Sequence, residues 1–209
     1  MALFEYFPNY VWNLSVSIAL ESGGKIGEII DMCKPIRDAA ANGEDAGTGA
    51  FLQQWVAMGE KLIELAAEDE ARGRTLSASK KLERAALYLL VGERMQGHGN
   101  PARVATFALA QDTFTRAMKL GNHPVERVMI PYEGSEYPAL YVRAPGDGPK
   151  PVVVYCNGLD SSKELLYWSN LPQALAARGI STLCVDLPGT GGALRISNLP
   201  ATPHSEKWA

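Results

Sequence analysis

The sequence predicts an α/β chain: an N-terminal helical region, then an antiparallel hairpin, then the first parallel strands of a sheet. Three observations carry that reading. Apolar residues recur at three- and four-residue spacing through residues 1–122. The period stops at His123-Pro124. Beyond it, alternating runs give way to short continuous apolar runs separated by a helical segment.

The helical elements follow in order. Residues 10–20, YVWNLSVSIAL, read as an apolar helix or a packing arm. They are too short and too polar for a membrane span, so no membrane partner is expected. No Lys or Arg precedes them, so a signal peptide is not expected either. Residues 25–43 place Ile26, Ile29, Ile30, Cys33 and Ile36 on one stripe, with Pro35 as a kink or last turn and Gly43 as a stop. Residues 48–73 start at Thr48, a candidate N-cap, and end at Gly73. Phe51, Leu52, Trp55, Met58, Leu62 and Leu65 share one face of that helix. Residues 76–97 have Ser77 or Ser79 as cap and an apolar face at Leu82, Ala86, Leu89 and Leu90. Residues 100–122 have Asn100 as N-cap, Pro101 at the first helical position and Gly121 at the end. The last two helices alternate small and large residues as a tetratricopeptide-like hairpin does. No repeat period holds through the chain, which favours a bundle or cap over a solenoid.

In the second half, VERVMIPY and YPALYVRAP alternate around Glu133-Gly134-Ser135-Glu136, the pattern of a hairpin. Residues 145–149, PGDGP, make a hard turn. PVVVYC reads as a buried strand, residues 162–179 as one helix with a Ser cap, and ISTLCVDLPG as a second buried strand. Strand, helix and strand at this spacing read as a right-handed parallel crossover.

Composition narrows the function. The 209 residues are 46% hydrophobic and 21% charged, with net charge −3 and no basic block, so nucleic acid is not an expected partner. A chain of this size can form a core without disulfides or metal. Cys33, Cys156 and Cys184 form no CxxC pair and are odd in number, which points to a reducing compartment, the cytoplasm. His98, His123 and His204 have no Cys, Asp or Glu at metal spacing, so no metal is expected. Tyr132, Tyr155, Tyr167 and Trp168 read as packing residues, with the edge of a cleft as the alternative for the last two.

Ligands of parallel sheets gather at the carboxyl ends of strands. Two such ends are CNGLDSSKE and VDLPGTGGALR. For residues 157–160, one reading is a turn, with Gly158 in an unusual backbone angle and Asp160 or Ser161 capping the next helix. The other is an anion site, where an oxyanion approaches the bare main chain at Gly158 and meets the N–H of Leu159 or its neighbours, with Asp160 at the rim. For residues 186–192, Asp186 reads as a structural acid and Gly189, Gly191 and Gly192 as flexible positions. A phosphate loop there lacks both GxxxxGK[ST] and GxGxxG spacing, so no nucleotide cofactor is expected. No GxSxG serine turn occurs.

Together these segments resemble the front half of an α/β-hydrolase. They are closest to the group of dihydroxypseudooxynicotine hydrolase, the fungal polyketide-shortening hydrolases and the fermentation–respiration switch esterase-like proteins. GLDSSKE is similar to the group's Gly-Leu-acid-Ser-x-Lys-Glu loop, and DLPGTGGALR to its Asp-x-Pro-Gly-x-Gly segment. The resemblance implies a helical cap and dimerisation region at 1–122 and the N-terminal part of the hydrolase core at 123–209. Gly158 and Leu159 would supply part of the oxyanion hole. Asp160 would stand where the carbon–carbon hydrolases of the group carry a functional Glu, one methylene longer. It further implies a Ser-His-Asp triad, a small-molecule substrate of polyketide or aromatic type, no cofactor and a homodimer. The triad residues would lie in the remainder of the hydrolase chain, so these 209 residues read as the N-terminal piece of a longer enzyme. The alternative is a truncated, non-catalytic relative acting as a binding or dimerisation module.

Overall fold

The computed structural model describes residues 6–41 and 49–207. The chain divides into two compact units, Met1–Asn122 and His123–Ala209.

The first unit is helical. Its described helices are α1 (Tyr10–Glu21), α2 (Ile26–Cys33), α3 (Arg37–Ala41), α4 (Gly49–Ala71), α5 (Thr75–Glu93) and α6 (Pro101–Leu120). Asn9 caps α1 by accepting from the Val11 and Trp12 amides. Pro35 sits in a 3-10 turn, Lys34–Ile36, that separates α2 from α3, as its missing N–H requires. The predicted stripe is narrower than its spacing suggests: Ile29, Cys33 and Ile36 are buried, whereas Ile26 and Ile30 are exposed. The Gly43 and Thr48 signals lie outside the described residues. Neither Ser77 nor Ser79 caps α5, which begins at Thr75 after Arg74. Ser79 is buried instead, and its hydroxyl donates to the Ala117 carbonyl of α6 at 2.9 Å. Asn100 and Pro101 open α6 as predicted, with Asn100 accepting from the Ala102 amide at 3.0 Å.

An aromatic run fills this unit. Rings of Phe7, Trp12, Phe51, Trp55 and Tyr88 follow one another with centroids 5.1, 5.1, 5.4 and 5.8 Å apart. Tyr88 ends the run by donating to Glu28 at 2.6 Å, and burial together with that carboxylate pushes its phenol above the ordinary range. Helices α4 and α5 approach through glycine. A Cβ at Gly92 would stand 2.7 Å from the Trp55 Cβ.

The second unit is α/β. It contains β1 (Val125–Tyr132), β2 (Ser135–Val142), β3 (Val152–Cys156), α7 (Lys163–Trp168), α8 (Leu171–Ala176), β4 (Ser181–Val185) and α9 (Gly191–Arg195). The sheet order is β1-β2-β4-β3, with β4 antiparallel to β2 and parallel to β3. The β1–β2 hairpin closes through Glu133 and Gly134, both at positive φ, the two-residue turn whose twist matches the strands. Tyr137, Ala139, Val185 and Ala193 form the core on one side of β2 and β4.

The second unit departs from the sequence expectations at β3 and at the segment after it. The strand PVVVYC is not buried. Because β4 lies between β2 and β3, β3 is the sheet edge, and Val152, Val153 and Val154 are 49%, 40% and 62% exposed. Alternate residues of a strand face opposite sides, so both faces of β3 are open. The single helix expected at 162–179 is two short helices, broken where Asn170 adopts φ +65°.

Replacing Gly92 by Ala forces its methyl group into Trp55. This overpacking is expected to lower the stability of the helical unit by about 1–3 kcal/mol, measured by urea denaturation followed by Trp fluorescence.

Candidate active site

The parallel strands β3 and β4 deliver their carboxyl ends to one buried carboxylate. Asp186 follows β4 directly and has no exposed surface. Its Oδ1 accepts from Asn157 Nδ2 at 2.7 Å and from the Lys163 amide at 2.6 Å. Its Oδ2 accepts from the Gly192 amide at 2.7 Å and from Lys163 Nζ at 3.0 Å. Lys163 Nζ also stands 2.8 Å from Glu164 Oε1, and Lys163 and Glu164 are both fully buried. Buried charge is costly unless paired, and here one ammonium serves two carboxylates. The site is dry enough that burial, with the Glu164 and Asp186 charges adding to it, pushes the neighbouring Cys184 thiol up to about 12.

Local sequence explains how this forms. Gly191 and Gly192 do not serve as flexible positions. A Cβ on Gly191, at φ +39°, would lie 2.2 Å from Asp186 Cγ, so only glycine leaves room for the carboxylate. The α7 N-terminus is capped from outside its own strand-to-helix loop. Ser162 precedes the helix without a side-chain cap bond, and Asp186 accepts the first helical N–H in place of Asp160 or Ser161. Thr190 donates to Asn157 Oδ1 at 2.7 Å, which turns the Nδ2 of that amide toward Asp186.

The residues singled out as site candidates lie on the loop between β3 and α7. Gly158, Leu159 and Asp160 are exposed, Leu159 at 72%. The loop turns through a bond from the Ser161 amide to the Gly158 carbonyl at 3.2 Å. Gly158 has no left-handed φ, and a Cβ there would meet nothing within 4 Å, so the turn does not need glycine. Among the described residues, the Gly158 and Leu159 amides donate to no backbone or side-chain acceptor. His123 meets the Tyr167 hydroxyl at 3.2 Å, and His204 is exposed 3.5 Å from Glu206. Among the described residues, no three His, Cys, Asp or Glu side chains gather as a metal site. Also among these residues, no helix is long and apolar enough to cross a membrane.

Sequence reasoning missed Lys163 and Glu164. The available signal was a Lys-Glu pair opening an otherwise apolar segment, KELLYW, beside an Asp at the end of an apolar strand. Lys163→Met removes the buried ammonium that lies against Glu164 and Asp186, and the expected loss is about 3–5 kcal/mol by chemical denaturation. Gly158→Ala, facing open space, is expected to stay within about 0.5 kcal/mol of the parent in the same experiment.

Comparison with known proteins places this geometry in a family. The family model described as Esterase FrsA-like matches residues 45–202. Hydrolase LUC6 of a Fusarium species is 31% identical over 98% of this chain and 49% of its own length. Alpha/beta hydrolase gkaG of Penicillium citrinum is 28% identical over 99% of this chain and 48% of its own. The crystal structure of 2,6-dihydroxy-pseudo-oxynicotine hydrolase superposes with a TM-score of 0.65 at 22% identity, over 84% of this chain and 46% of that one, a likeness of fold. The chain thus spans about half the length of the relatives it matches. With its helical region followed by a mixed sheet of hydrolase type, the chain belongs to the FrsA-like esterase family of α/β-hydrolases.

Proposed function

We propose that the chain supplies the helical cap and first sheet strands of a serine-dependent hydrolase that cleaves a carbon–carbon or ester bond of a polyketide-like or aromatic substrate. The observation that carries this reading is the pair of unpartnered amides at Gly158 and Leu159, at the carboxyl end of a parallel strand in a hydrolase-family sheet. In the proposed reaction a serine from the remainder of the polypeptide attacks the substrate carbonyl. A C–O bond forms as the serine O–H proton passes to a histidine of that same remainder, which later returns it to the leaving group, and the carbonyl oxygen takes the negative charge. The Gly158 and Leu159 N–H groups stabilise that oxyanion, each donor contributing about 3 kcal/mol. Collapse expels the leaving carbon or oxygen, which takes a proton, and water then releases the acyl group. Asp160 polarises or orients the substrate from the rim. The step needs no cofactor.

Two further features support the proposed partners. The open faces and edge of β3 suit additional strands and covering layers from the rest of the hydrolase chain. Ile26 and Ile30, one turn apart on α2, are 62% and 44% exposed and line an apolar cavity of about 150 Å³ with Ile29 and Cys33, which suits a homodimer contact. The three free thiols suit the cytoplasm. That exposed apolar pair also favours the second reading, a non-catalytic dimerisation module.

A fluorophosphonate probe applied to the complete protein separates the two. The hydrolase reading expects stoichiometric labelling of one serine. It also expects Asp160→Ala to keep that labelling while slowing turnover of a ketone substrate. Absence of labelling favours the module.

A further inference from the structure

The loop carrying Gly158 and Leu159 is held at both of its ends by one oxygen atom. Asp186 Oδ1 receives Asn157 Nδ2, immediately before the loop glycine, and the Lys163 amide, the first residue of α7. The other oxygen receives Lys163 Nζ and the Gly192 amide. Four donors fill about four lone-pair positions, so this carboxylate has no capacity left for proton transfer. Asn157 is itself oriented from the loop after β4, through Thr190.

We infer that Asp186 is the positioning residue of the proposed hydrolytic site, fixing through Asn157 and the Lys163 amide the direction in which the Gly158 and Leu159 N–H groups point. The inference rests on the hydrolase reading for its kinetic consequence, but the clamp is a property of this chain. Oxyanion stabilisation depends on donors held at a set distance and angle before the charge develops. A loop tethered at one end lets those amides swing, and a misplacement of about 1 Å costs about a hundredfold in rate. Gly191 belongs to the same device. Its missing side chain leaves the space the carboxylate occupies, so Gly191→Ala moves Asp186 without changing any charge.

The test uses the complete protein with p-nitrophenyl butyrate as probe. Asn157→Ala releases the front of the loop while the buried Lys163–Asp186 pair stays intact. Its kcat is expected to fall about tenfold or more with KM within about threefold of the parent. Asp186→Asn, which sets a donor against donors, is expected to fall about a hundredfold or more. Both are assayed at a temperature where circular dichroism reports full folding. If Asp186→Asn does not fold, Asn157→Ala decides alone. Variants that melt earlier yet keep the parent kcat per folded molecule overturn the inference, because that is what a purely structural role gives.

A second readout does not depend on activity. The ¹⁵N heteronuclear NOE of the Gly158 and Leu159 amides is expected to drop in Asn157→Ala and Asp186→Asn. Unchanged values overturn the positioning role. An inactive parent protein with a normal drop in NOE instead defeats the hydrolase reading and leaves the clamp standing.

Discussion

The second unit depends on one constraint: the ammonium of Lys163 is enclosed with two carboxylates and has no access to water. An ion in that position is tolerable only when its partners are in place. The partners come from separate stretches of sequence, Glu164 on α7 and Asp186 at the end of β4. Satisfying the charges therefore brings the two strand ends together. The same carboxylate then organises the neutral groups around it, capping α7, holding the Asn157 amide and seating the start of α9. The polar centre thus does here what apolar contacts do elsewhere in a core. It specifies one arrangement, because every alternative leaves a charge unpaired.

This arrangement divides labour between neighbouring residues. The buried Asp186 carboxylate already accepts four donors, whereas Gly158 and Leu159 on the neighbouring loop are exposed and have unused amide donors. A rigid polar base beneath a loop of free amides suits a site that stabilises charge developing on a bound molecule. The open faces of β3 carry the same message at the level of the sheet. Its three valines are apolar on both sides, as in strands that lie inside a parallel sheet with layers above and below.

Much of the architecture was legible in the sequence because it depends on local rules. Asn100-Pro101 opened α6, Pro35 broke the second helical segment, and the hairpin turn expected within Glu133–Glu136 closes at Glu133-Gly134, each by conformational limits that need no distant partner. What failed depended on distant partners. PVVVYC has the composition of a buried strand, but burial follows from the strand order, which puts β4 inside and β3 outside. Ser79 resembled a cap and instead bridges to α6. The glycines after Asp186 resembled a flexible loop, and their purpose appears only once the carboxylate is seen against the Gly191 backbone. Lys163 and Glu164 drew no role of their own, because nothing local distinguishes a solvated Lys-Glu pair from one that a later Asp draws into the interior.

The most direct test of the buried charge centre is reductive methylation of the native protein, read by peptide mass spectrometry. Lys163 should remain unmodified while exposed lysines such as Lys61 and Lys80 are fully methylated, and it should react once the chain is unfolded in urea. Methylation of Lys163 in the native protein at the rate of Lys61 would mean that its ammonium faces water, and the centre described above would not exist.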